Sequence, residues 1–159
     1  MVTTIQLRVN GKDHTVKADP STPLLYILRN HLQLNGPRFG CGLQQCGACM
    51  VLLDGKAAFS CMMPVDRVKG RALTTLEGLA GPGGSLHPVQ EAFVQEQAAQ
   101  CGYCLNGMVM SAVSLLSENP SPDDAAIRRG MEPVLCRCGT QARILRAVKR
   151  AAEADKSLS

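Results

Sequence analysis

Aromatic residues are scarce in this chain: there is no tryptophan, and 159 residues hold only two tyrosines and three phenylalanines. Proteins that read nucleic acid stack bases on aromatics or gather basic side chains on one face. Here 17 Lys and Arg stand against 13 Asp and Glu, a net charge of +4 spread without a basic run, so no nucleic acid is expected as a partner. Long apolar runs are missing as well, and none approaches the ~18 residues that would suggest a bilayer span. Residues 1–16 alternate as a strand does, with a polar break, where a signal peptide would carry a continuous apolar block. These absences predict a soluble chain made in the cytoplasm, without direct membrane insertion.

Cysteine, by contrast, is abundant, with eight residues in 17.0 kDa. A reducing compartment argues against disulfides and leaves the thiols free for metal. Cys41, Cys46 and Cys49 have the spacing C-x4-C-x2-C, and Cys61 follows on a nearby strand. That run is the plant-type 2Fe-2S spacing. A cluster of two ferric ions, two sulfides and four thiolates carries a charge of about −2 and wants backbone amides close by. Gly40, Gly42 and Gly47 let the loop wrap the sulfurs and adopt positive φ where needed. Zinc, which favours two C-x2-C pairs, fits the C-x4-C step poorly.

Cys101 and Cys104 precede a helical pattern beginning near Leu105, and Cys136 and Cys138 precede another beginning near Thr140. Two helix N-termini would then direct free amides at one anionic group. Four soft thiolates from two such loops suit iron and sulfide better than a hard cation. The C-x-C pair is tight for a zinc ribbon. His14, His31 and His87 are not needed, because each set already holds four thiols. The eight cysteines therefore point to two clusters in series and to electron transfer.

The remaining sequence predicts how the sets are carried. Ile5, Leu7 and Val9 alternate with polar residues, and Asn10-Gly11 turns the chain into a returning strand. Leu24 to Leu32 has helical spacing and ends at Asn35-Gly36-Pro37. Met50 to Leu53, Asp54-Gly55 and a strand carrying Cys61 make a second hairpin, and residues 71–76 one further strand. Residues 78–85, with Gly81-Pro82-Gly83-Gly84, read as a linker. Beyond it the periodicity is helical around Val89, Ala92 and Phe93, then from Leu105 to Leu116, then after a start with Ser121 as cap and Pro122 in the first turn, and last around Ile144, Leu145 and Val148. His87-Pro88 reads as a helix entry, Met108, Met110 and Met131 as core, and residues 154–159 as a fraying end. The expected fold is α+β: a β-grasp, ferredoxin-like domain over residues 1–77, a linker over 78–86, and a four-helix domain over 87–159.

The order C-x4-C-x2-C, a nearby fourth cysteine, Gln100-Cys101-Gly102-Tyr103-Cys104 and Cys136-Arg137-Cys138-Gly139 resembles the iron-sulfur subunit of the xanthine oxidase family of molybdenum hydroxylases. The likeness extends to Leu86-His87-Pro88-Val89-Gln90 and to Asn106-Gly107-Met108. It implies one 2Fe-2S cluster per domain, the helical-domain cluster lying next to a molybdopterin, in its cytosine dinucleotide form, held by a large partner subunit. By the same resemblance Gln100 contacts the molybdopterin and Cys138 is the ligand nearest it; a loop-capping role is the alternative for Gln100. Tyr103 is read as a water shield or plain packing, and Arg137 as a donor to cluster or partner or as a surface residue.

Many relatives carry Asp and Gly where this chain has Gly42 and Gln44. Cys-Gly-Leu-Gln-Gln-Cys resembles instead small subunits of bacterial dehydrogenases acting on nicotinate and isoquinoline and of membrane-associated aldehyde dehydrogenases. That likeness implies an N-heteroaromatic or aldehyde substrate, turned over on the partner, and an acceptor that is a cytochrome c subunit in preference to an FAD subunit. An exported partner would put the complex in the periplasm or at the membrane. A free-standing two-cluster ferredoxin and a zinc-bound interaction module are the rival readings.

Overall fold

The computed structural model describes residues 1–156, and among them no helix is long and apolar enough to cross a membrane. Two strands open the chain, β1 (Thr3–Val9) and β2 (Lys12–Ala18), paired antiparallel with Ile5 opposite Val16. Asn10 and Gly11 both take positive φ, 53° and 75°, which is what a tight hairpin turn matching the strand twist requires. Ile5, Leu7 and Val9 point inward and are buried, each worth about 1.5–3 kcal/mol relative to exposure.

Helix α1 (Leu24–Tyr26) continues as a wider π-helical turn, Ile27–His31, closed by Leu32 N–H donating to Ile27 O. The sequence predicts an ordinary helix here. The widened turn lets the consecutive residues Ile27 and Leu28 both face the core. The second hairpin is β3 (Met50–Leu53) and β4 (Lys56–Phe59). Contrary to expectation, β4 stops short of Cys61. Leu25 N–H bonds the carbonyl of Ser60 (3.1 Å) and the Ser60 hydroxyl donates to Cys49 O (2.6 Å), drawing the chain out of the ladder.

Strand β5 (Ala72–Thr74) is shorter than the predicted 71–76. Thr75 leaves it because its N–H donates to Asn10 Oδ1 (2.8 Å) while its side chain bonds both Asn10 Nδ2 and a carboxylate oxygen of Glu77. The sheet order is β2-β1-β5-β3-β4, with β5 parallel to β1 and antiparallel to β3. Glu77 also accepts from Gly36 N–H (2.6 Å), so one polar chain ties the first turn, the central strand and the approach to the first cysteine loop.

Short 3-10 turns at Leu76–Leu79 and Pro82–Gly84 lead to α2 (Pro88–Gln95). His87 caps it as expected, its Nδ1 accepting from Val89 N–H while Gln90 accepts from His87 N–H. Then come α3 (Leu105–Glu118), α4 (Asp124–Met131) and α5 (Gln141–Lys156). The cap of α4 is Asp123, which accepts from Ala126 N–H, and not Ser121. A carboxylate satisfies the free amide as a hydroxyl would and adds charge favourable to the helix dipole. Met108, Met110 and Met131 are buried as expected. Residues 154–156, expected to fray, continue α5, whose Ala147, Val148 and Ala151 line the core face; the rest of that expectation lies outside the described residues.

Strand β3 is buried along its whole length. Val51 and Leu53 join the core formed by β1, β2, α1 and β5, while Met50 and Leu52 join the core of the helices. A strand sealed on both faces reads as a continuous apolar run, here Met-Val-Leu-Leu. It is the wall shared by the two cores, and the first cysteine loop ends where it begins.

Candidate metal centres

In the loop of residues 40–49, Gly42, Gln44 and Gly47 all take positive φ: 67°, 57° and 74°. Left-handed turns aim consecutive amides inward. Leu43 N–H and Gln45 N–H donate to Cys41 Sγ at 3.2 and 3.3 Å, and Cys41 N–H donates to Cys46 Sγ at 3.3 Å. Gly40 serves by smallness and not by positive φ, since a Cβ there would stand 2.6 Å from Cys46 Sγ. Gly47 is boxed in: a Cβ would meet Pro133 O and Val134 Cγ2, both at 2.8 Å. Burial pulls the Cys41 thiol up, but the amides of Leu43 and Gln45 outweigh it and bring it to about 7. Cys49 and Cys61 are buried against Leu25 and Phe59. Burial first, and then the neighbouring Cys61, push the Cys49 thiol up to about 11.

The second set is assembled from two helix entries. Cys104 is the residue on which α3 starts, and Cys136 and Cys138 lie just ahead of α5. Cys138 Sγ approaches Cys101 Sγ at 3.4 Å, and Cys136 faces Cys104. Tyr103 N–H reaches Cys101 Sγ at 3.5 Å and lowers that thiol's pKa. Burial, followed by the neighbouring Cys136, pushes Cys104 up to about 12. At Cys136 burial acts upward too, yet bonds from the Thr140 hydroxyl and amide win and bring it to about 7.

All eight thiols are free, and in each set they stand in facing pairs: Cys41 with Cys46, Cys49 with Cys61, Cys101 with Cys138, Cys104 with Cys136. Among the described residues no three His, Cys, Asp or Glu side chains converge as they would around one ion. Two pairs per set suit a binuclear centre, with one pair for each iron, better than a single tetrahedral zinc. The amides directed at Cys41, Cys46 and Cys101 fit an anionic group, and the absence of a Cβ at Gly40 leaves room beside Cys46 Sγ. The residues present therefore fit two 2Fe-2S clusters. A cavity of about 350 Å³ is lined by Cys41 and Cys46 of the first set and by Cys101, Cys104, Cys136 and Cys138 of the second, so both sets look onto one space.

Gln100 is exposed beside Cys101, and Arg137 is exposed at the cavity between Cys136 and Cys138. Tyr103 is half exposed, but its hydroxyl donates to Phe39 O, which gives it a definite partner in the first half of the chain. Three contributors escaped the sequence reading. Thr140 beside Cys136 could have been found as a hydroxyl residue at a helix start. Ser60 and Arg38 carried no local signal, since each acts on a residue distant in sequence.

Residues 7–75 match the family model described as 2Fe-2S iron-sulfur cluster binding domain, and residues 75–149 match that of the [2Fe-2S] binding domain. The chain is 60% identical over 153 residues to one of the subunits of nicotinate dehydrogenase of Pseudomonas putida, an alignment covering 96% of this chain and 97% of that one. It is 46% identical to the alpha subunit of isoquinoline 1-oxidoreductase of Brevundimonas diminuta, over 94% of this chain and 97% of the other. Among solved structures, quinoline 2-oxidoreductase from Pseudomonas putida 86 superposes with a TM-score of 0.92 at 34% identity, covering 98% of this chain and 97% of that chain.

Proposed function

The chain belongs to the iron-sulfur small subunits of the xanthine oxidase family of molybdenum hydroxylases, and from that premise we propose that it serves a complex whose large subunit oxidises a nicotinate-like N-heteroaromatic ring. Its part is electron transfer within such a complex. The substrate class is supported by the 60% identity to a nicotinate dehydrogenase subunit over nearly the whole of both chains. An aldehyde is the second class. The observation that carries the reading is the arrangement of both thiol sets as facing pairs, with Cys41 and Cys46 of the first set and all four thiols of the second on one shared cavity.

In this reading Cys41, Cys46, Cys49 and Cys61 hold one 2Fe-2S cluster and Cys101, Cys104, Cys136 and Cys138 hold the other. When bound, the clusters supply one-electron carriers that link a two-electron oxidation on the large subunit to a one-electron acceptor. The chain's own groups do the rest. Amides of Leu43, Gln45 and Tyr103 stabilise thiolate charge, which holds electron-rich ligands in place without a counter-ion. Leu25 and Phe59 keep water from Cys49 and Cys61. Gln100, exposed beside the second set, offers an amide that both donates and accepts, suited to a pterin of the partner subunit. Cys138, which lines the shared cavity, is the proposed ligand nearest that pterin. A cytochrome c subunit is the proposed acceptor, ahead of a flavin subunit. The division into residues 1–77 and 87–159 about a linker belongs to the same proposal.

Native co-purification tests this, with iron, molybdenum and haem measured on the intact complex and hydroxylation assayed on nicotinate and on simple aldehydes. Iron, molybdenum and c-type haem together with nicotinate turnover is the expected result. Iron alone on an isolated small chain would overturn it in favour of a free electron carrier.

A further inference from the structure

The two cysteine loops touch through side chains that no cluster chemistry requires. Arg38, close before Cys41, donates from Nη1 to Gly102 O at 2.6 Å and lies 5.4 Å from the centre of the Tyr103 ring. Tyr103 donates back from its hydroxyl to Phe39 O. The residues leading into the first set thus grip, and are gripped by, the residues between Cys101 and Cys104. A third contact runs from the first turn of α3. Asn106, 1% exposed, donates from Nδ2 to Ala48 O (3.0 Å) and Met50 O (2.9 Å), the carbonyls on either side of Cys49. Its Oδ1 is buried with no hydrogen-bond partner. What Asn106 supplies is a pair of donors at one place.

We propose that Arg38, Tyr103 and Asn106 form a clasp that fixes the separation of the two cluster sites, and with it the coupling between the clusters; this rests on the reading of the two thiol sets as 2Fe-2S sites. Loops are the mobile parts of a fold, whereas electron transfer falls steeply with distance. In the transfer one electron leaves the second-set centre and arrives at the first-set centre; one is oxidised and the other reduced, and no bond or proton moves. The electron originates in the partner's oxidation of substrate. These three are positioning residues, since none needs to touch iron. Arg38 and Tyr103 span the open side of the contact, Asn106 the buried side, and between them Leu135 N–H donates to Cys46 O at 3.0 Å.

The test uses the purified complex carrying Tyr103→Phe, Arg38→Gln, both together, and Arg38→Lys. Iron per chain and the integrated intensity of both 2Fe-2S electron paramagnetic resonance signals are measured after full reduction, together with the broadening each centre imposes on the other. The expected result is wild-type iron and both signals throughout, at least a twofold loss of mutual broadening in the double variant, and partial recovery with Arg38→Lys. Mutual broadening equal to wild type in the double variant overturns the clasp, as does a wild-type complex with two signals that do not broaden one another. Loss of iron or of one signal in Tyr103→Phe also overturns it, because the side chain then builds one site and does not space two. A wild-type complex without two 2Fe-2S signals refutes the underlying reading instead, whatever the variants do.

Discussion

Gly107→Ala sets two effects of known size against each other at the seam between the cores. Gly107 lies inside α3, where alanine is the better helix former by about 1 kcal/mol. Propensity alone therefore predicts a stabilised variant. The space around Gly107 predicts the reverse. A Cβ there would overlap the carbonyl oxygen of Gly47 and stand 2.9 Å from its carbonyl carbon and 3.0 Å from Val134 Cγ1. The obstruction is backbone, and it has nowhere to go. Gly47 O is held by Met50 N–H at 3.1 Å, and Gly47 is itself hemmed in by Pro133 and Val134 on another side. Overpacking typically costs about 1–3 kcal/mol, and a pinned backbone puts this site at the upper end. The net expectation is destabilisation by about 2 kcal/mol, or about 4–8 °C in melting temperature for a chain of this size. Gly130→Ala is the control. It makes the same change in α4, but the Cβ would meet the end of the Leu115 side chain, with Cδ2 at 2.8 Å, and that side chain can rotate away. The assay is thermal melting of the complex at fixed scan rate, with iron per chain measured before heating, because cluster loss makes the transition irreversible. Gly107→Ala should melt lower and shed iron from the first set, while Gly130→Ala should match or exceed the wild type. Gly107→Ala melting at or above wild type with full iron would refute the reasoning.

Other substitutions report on other parts of the site. Cys104→Ser should abolish one paramagnetic signal, leave the other and stop turnover; persistence of both signals would remove Cys104 from the ligands. Gln100→Ala should keep both signals and weaken molybdopterin retention, and unchanged retention and turnover would leave Gln100 a simple loop residue. At Glu77, burial acts upward on the carboxyl, but bonds from Thr75 and Gly36 N–H outweigh it and hold its pKa below the ordinary 4.5. A depressed carboxyl stabilises the fold above its unfolded pKa and loses that contribution as pH falls toward its folded one. Glu77→Gln should therefore lower stability by about 1 kcal/mol at neutral pH, discounted for its exposure, and by less as pH drops below 4.5. A melting difference independent of pH across that range would contradict it. Gln44→Gly, at a left-handed position in open surroundings, should change stability by less than about 1 kcal/mol, whereas Gly47→Ala should cost more than that; equal effects would show that φ alone decides.

The gathering of the thiols into two sets of four was legible because it is written in local spacing, with glycines beside them. The two hairpin turns were legible for the same kind of reason, since Asn10-Gly11 and Asp54-Gly55 tolerate positive φ where few dipeptides do. Boundaries were less legible. The ends of β4 and β5 depend on Ser60 and Thr75 finding partners at Cys49 and Asn10, and nothing local foretells those bonds. The start of α4 was misplaced because Ser121 and Asp123 are both good caps, and only the fold chooses. Least legible was the seam. Met-Val-Leu-Leu announced a buried strand, but not that its two faces would serve different cores. Arg38 met Gly102 across 64 positions of sequence, which periodicity cannot see.

The place of β5 bears on how the protein is made. It is the middle strand of the sheet and the last of the five to be synthesised, so until residues 72–74 emerge the two hairpins are joined only by the chain between them. All four thiols of the first set have been made by then, on a sheet still open at its centre. The second set is gathered only after residue 138, when every strand of the sheet and all of the first set have been made. A cell delivering iron and sulfide to this chain thus meets two sites that mature at different times, the thiols of the first all made before any of the second.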